Sequence, residues 1–154
     1  MAELEGVKIN KLQGQLSAGN NSTDSHLALI QSGIPEGPIA SAINNGGKGI
    51  VIRSLILAEA MGITASFDAN NNLRLHRDIK EFYRLAPEGV LYLFNSTLKA
   101  DVKQFLLNNS DVKGYAISAK FNAEGPTLES IMEDQQEIID ELFQVNRLSF
   151  MGLP

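Results

Sequence analysis

The chain has 154 residues, 44% of them hydrophobic and 20% charged, with a net charge of −5. That length fits one domain, which at this size buries roughly 70% of its unfolded surface, and no apolar run approaches the ~20 residues of a membrane span. The 13 basic residues are scattered, so the positive stripe that reads phosphate backbones is missing and nucleic acid is not an expected partner. Zero cysteines exclude disulfides, thiol nucleophiles and thiolate metal sites. The opening residues 1–6 carry two acids and no apolar core behind basic residues, so no signal peptide is expected, and the sequons at Asn20, Asn21 and Asn95 read as loop asparagines.

Residues 1–24 read as an N-terminal arm, with a short alternating stretch around Val7 and Ile9, then Leu12 and Leu16, before the polar cluster Ser17–Asp24. Residues 25–154 read as a single α/β domain. A first strand is expected over His26–Ile30, followed from Ile34 to Gly49 by a loop rich in proline, asparagine and glycine with at most a short extended piece. Ile50–Arg53 is a β-branched strand, and Ser54 caps a helix through Leu55, Ala58 and Met61 that Gly62 stops. Asp68–Asn72 reads as a turn. Leu75, Ile79, Phe82 and Tyr83 then recur on one helical face until Pro87 and Gly89 lead into Val90–Phe94, an uninterrupted apolar run suited to a strand covered on both sides. Thr97 is placed to cap a helix carrying Leu98, Val102, Phe105 and Leu106, and Tyr115–Ala119 is the next strand. The longest helix runs from about Thr127 to Asn146, with Leu128, Ile131, Met132, Ile138, Ile139, Leu142 and Phe143 as its stripe and Glu129, Glu133 and Asp134 near its N-terminus, where the helix dipole favours acids. Strands alternating with helices imply an α/β fold, a mostly parallel sheet with helices on its faces. Such a unit would return from the last helix into another strand, and the short tail 148–154 suggests either truncation at the C-terminus or a tail packed on the helix.

The candidate chemical motifs fail on their spacing. Gly46-Gly47-Lys48-Gly49 lacks the Ser or Thr of a Walker loop and leads into a strand rather than a helix. Asp68, Asn70 and Asn72 match the start of a calcium loop, but Leu73 stands where glycine is required and Ile79 where the bidentate glutamate belongs. His26 and His76 share no metal-ligand spacing, and there is no GxSxG elbow. Glu133-Asp134 and Asp140-Glu141 read as a solvated helix face. On the helix 77–84, Arg77 with Glu81 is an attractive i, i+4 pair and Lys80 with Arg84 a repulsive one, a face suited to solvent or to a polar subunit contact. No catalytic residue, cofactor-binding residue or metal ligand is singled out, and no cofactor is expected.

Leu57-Ala-Glu-Ala-Met-Gly-Ile63, Leu75-His76, Ile79-Lys-Glu-Phe-Tyr-Arg84 and Pro87-Glu-Gly-Val-Leu-Tyr-Leu93 form an ordered block. It resembles the N-terminal α/β region of phage contractile-tail sheath-like proteins encoded in bacterial prophages, where an "AEALGI" helix precedes a "HxxxxEFFR" helix and an "NPxGxLYV" strand. Weaker likeness extends to Gly14-Gln-Leu16 and the final helix. The resemblance implies a structural subunit rather than an enzyme, partnered by copies of itself and by the tail tube. It would assemble in the bacterial cytoplasm into a virion tail or tail-like particle, through subunit contacts and exchanged terminal strands. Family members are longer than this chain. The alternative is a small α/β enzyme or ligand-binding domain with its site at the carboxyl ends of the strands, where Arg53-Ser54, Asn95-Ser96-Thr97 and Lys120 are the candidates.

Overall fold

A computed structural model describes residues 26–96, 98–118, 128–144 and 150–152. The arm expected at 1–24, Thr97 and Lys120 lie outside these residues. A sheet of order β2-β3-β1-β4-β5 is built from β1 (His26–Gln31), β2 (Ile50–Ile52), β3 (Val90–Asn95), β4 (Gly114–Ser118) and β5 (Phe150–Gly152). Its helices are α1 (Pro38–Asn44), α2 (Leu55–Ala60), α3 (Ala65–Asn71), α4 (Leu75–Leu85), α5 (Lys99–Asn108) and α6 (Leu128–Gln144). β1 pairs in parallel with β3 and β4, and β4 in parallel with β5, while β2 runs antiparallel to β3. The fold is therefore the expected α/β class.

Alternation along the central strands sends side chains into two cores. Leu29, Leu91 and Leu93 join Ala40, Ile43, Ile52, Leu75 and Ile79 on the face covered by α1 to α4. Ala28, Ile30, Tyr92 and Phe94 join Phe105, Tyr115, Ile138 and Leu142 on the face covered by α5 and α6. This two-sided burial is why β3 reads as a continuous apolar run rather than an alternating one. Phe105 is fully buried and stacks on Phe94, with ring centroids 4.6 Å apart and planes 1° from parallel.

The structure corrects the expected elements in several places. The region 34–49 is not only loop: Pro38, in the first turn where its missing N–H costs nothing, opens α1, which buries Ala40 and Ile43 one turn apart. α1 ends at Asn45 in the left-handed conformation (φ 43°), followed by a short 3-10 turn over Asn45–Gly47. Asp68–Asn72 is not a turn but mostly the second half of α3, which Thr64 caps by accepting a hydrogen bond from Phe67 N at 3.2 Å. β2 departs from the parallel pattern. A seven-residue helix rises only about 10 Å, short of the ~20 Å a six-residue strand spans, so the chain re-enters the sheet beside the carboxyl end of β3, with Ile50 opposite Leu93. Within the tail, Phe150–Gly152 supplies the returning strand, paired in parallel with β4. Finally, Met132 and Phe143 leave the expected apolar stripe of α6 and stand 47% and 65% exposed, while Ile138 and Leu142 are buried.

Candidate functional site

Connections leave β1 and β4 in opposite directions, towards β3 and β5, so the gap between β1 and β4 is the topological switch point where open α/β sheets usually place ligands. Gln31 and Ser118 end these strands as register partners and are buried. Ser118 Oγ donates to Asp78 Oδ2 at 3.0 Å, tying the end of β4 to the first turn of α4. Burial pushes the Asp78 carboxyl above its usual range, against the lowering influence of the Ser118 hydrogen bond and of the Arg77 and Arg74 charges. Gln31 Nε2 donates to Ser32 O at 2.7 Å, and its buried Oε1 has no partner among the described residues. Asp68, also buried, accepts from Arg77 N at 3.2 Å through Oδ2, which serves the N-terminus of α4 where Arg74 offers no side-chain cap. Chemically the cluster offers a carboxyl with a raised affinity for protons and a hydroxyl bonded to it. The serine lacks an imidazole partner, since His76 Nε2 is 3.0 Å from Glu59 Oε1 instead.

Of the loops proposed from sequence, Arg53-Ser54 and Asn95-Ser96 do not converge, and Lys120 lies outside the described residues. Antiparallel β2 carries Arg53-Ser54 towards the amino end of β3, because Ile52 lies opposite Leu91, and Ser54 Oγ is occupied in accepting from Leu57 N at 3.3 Å. Asn95 and Ser96 sit at the other end, where an open cleft of 360 Å³ is lined by Asn44, Gly46, Gly47, Phe94, Asn95, Asp101 and Gln104. The Gly46–Gly49 segment thus borders a cleft without Walker geometry. Its glycines serve the turn, and at Gly49 (φ 71°) an added Cβ would lie 2.5 Å from Phe105 Cε2 and 2.8 Å from Leu93 O. Among the described residues lining the cleft there is no Lys, Arg or His, and Asp101 is an acid.

Sequence reasoning passed over Asp78, Ser118 and Gln31. The signal for Gln31 is a polar residue closing an apolar strand, whereas a bond between residues 40 apart has no local trace. Outside this cluster, several large apolar side chains are exposed: Val51 (40%) on β2, the outermost strand on its side of the sheet among the described residues, and Ile56 (76%) and Leu57 (49%) on α2. Among the described residues no group of three or more acidic, histidine or cysteine side chains could hold a metal, and no helix is long and apolar enough to cross a membrane.

No protein-family model, no curated protein and no solved structure matches this chain.

Proposed function

We propose that this chain is a structural subunit of a phage-like contractile tail, a sheath or sheath-like component that works through contacts with copies of itself and with the tail tube, and not as an enzyme. The observation that carries this is the exposure of large apolar side chains on β2, an outermost strand of the sheet among the described residues, and on the helix after it: Val51 on the strand, Ile56 and Leu57 on α2. Large apolar side chains beside unpaired strand edges mark protein contact surfaces, because water satisfies neither the side chains nor a flat strand edge as well as another chain does. The resemblance block supports the same reading, since its words fall in order on α2, α4 and β3. Assembly would take place in the cytoplasm of a bacterial host, without nucleic acid or membrane as partner. Electron microscopy of the concentrated protein tests this: rings or tubes are expected, and a field of dispersed monomers would refute it.

The second reading, a ligand-binding or catalytic α/β domain, is favoured by the Gln31, Ser118 and Asp78 cluster at the switch point. Chemical-shift changes centred on Ser118 and Asp78 in a small-molecule screen would support that reading over the first.

A further inference from the structure

α4 and α6 cover opposite faces of the sheet and carry opposite charge. On α4 the inward positions are Leu75 and Ile79, which leaves Arg74, Arg77, Lys80 and Arg84 exposed along the outer side. Asp78 is turned to Ser118, and Glu81 is held by Arg84, which keeps its carboxyl below the usual range. Arg74, Arg77 and Lys80 make no ion pair among the described residues. On α6, Gln135, Ile138 and Leu142 face inward. Glu129, Glu133 and Asp140 then fall at i, i+4 and i+11, one outer stripe. α6 contains no basic residue, and among the described residues only Asp134, Glu137 and Glu141 are matched, by Lys99 and Lys103 of α5. At 1.5 Å per residue the unpaired cations Arg74 to Lys80 span about 9 Å, with Arg84 beyond them bound to Glu81, and the acids Glu129 to Asp140 span about 16 Å, so the two stripes are opposite in sign.

We propose that the α4 face of one copy docks on the α6 face of the next. This rests on the subunit reading above and names the surfaces through which subunits join. Because the two faces differ, the contact is head-to-tail, and each copy uses both, which produces a ring or an open helical array rather than a closed dimer. The charges set register and orientation, while exposed ion pairs contribute only about 0–1 kcal/mol each. Apolar contact comes from Met132 and Phe143 near the acidic stripe and from Leu85, 69% exposed, at the end of α4.

Charge reversal separates this contact from the subunit reading itself. Arg77→Glu with Lys80→Glu makes both faces acidic, and Glu129→Lys with Glu133→Lys makes both basic. In sedimentation velocity at low salt the wild type is expected to associate, and each variant to lose about tenfold or more in association while keeping its circular dichroism and melting behaviour. An equimolar mixture of the two variants restores association, because each now complements the other at both faces. Wild-type association that persists unchanged in both variants overturns this contact and leaves the subunit reading standing. A wild type that stays monomeric at every concentration overturns both, and an α4 face that instead binds a DNA duplex in an Arg77-dependent way assigns it to nucleic acid.

Discussion

Tyr115 anchors the acidic helix α6 to the sheet, and replacing it with phenylalanine tests that anchor. Its hydroxyl donates to Gln135 Oε1 at 3.1 Å, both groups being buried. Tyr115→Phe keeps the ring in the core but leaves the Gln135 oxygen without its donor, which costs about 1–3 kcal/mol. A second effect depends on pH. Burial pushes the Tyr115 hydroxyl up to about 12 from 10. The folded protein therefore holds a proton that the unfolded chain releases first, and stability falls as pH rises from 10 towards 12. The full loss, complete only above pH 12, is about 3 kcal/mol, with about 2 kcal/mol of it reached by pH 11.5. Urea denaturation at neutral pH and over the alkaline range, with tyrosinate absorbance followed alongside, separates the two effects. The variant is less stable at neutral pH, and the gap narrows above pH 10 because only the wild type pays the ionisation cost. Parallel curves for the two proteins up to pH 11.5, or a Tyr115 that titrates near 10, would refute the buried anchor.

The other predictions concern the elements that sequence reading missed and the switch-point cluster. Ile43 is fully buried on α1, so Ile43→Ala is expected to cost about 2–5 kcal/mol in chemical denaturation, and a cost below about 1 kcal/mol would mean that the segment is a surface loop after all. Gly49→Ala places a methyl group against the Leu93 carbonyl and the Phe105 ring at a left-handed backbone position, so the melting temperature should fall by several degrees, whereas an unchanged melt contradicts the close approach. Because the Asp78 pKa is raised in the fold, its protonation favours the folded state as pH falls through the window just above 3.8, and its ionised form costs stability at neutral pH. Asp78→Asn keeps an acceptor for Ser118, removes that pH dependence and leaves neutral-pH stability equal or higher; a loss of more than about 1 kcal/mol there would show the charge itself to be needed.

Most of the sheet was legible because its strands announce themselves by composition. Val90–Phe94 is apolar at every position, and the structure buries it between two cores. The apolar face of α4 and the Ser54 cap are equally local signals, and both appear as expected. Short helices were lost because their capping residues are also loop residues. Pro38 reads as a breaker until Ala40 and Ile43 are seen to need a common face, and Asn70, Asn71 and Asn72 hide the last turn of a helix whose start at Thr64 was the better clue. Strand direction is not a local property, so nothing in Ile50–Ile52 records that β2 runs against its neighbour. The exposed positions of Met132 and Phe143 were misassigned for a related reason. A stripe drawn with too wide an arc takes in residues that only the position of the sheet can exclude. The switch-point cluster needed the fold to bring α4 beside the end of β4 before Asp78 and Ser118 could meet.

The central claim is that this chain acts by assembling with copies of itself, and a concentration series in sedimentation velocity at low salt tests it most directly. The account predicts a sedimentation coefficient that climbs with concentration and falls back when salt is added, as larger species form through charged faces and then dissociate. A single monomer boundary, unchanged in position across the whole series, would contradict it.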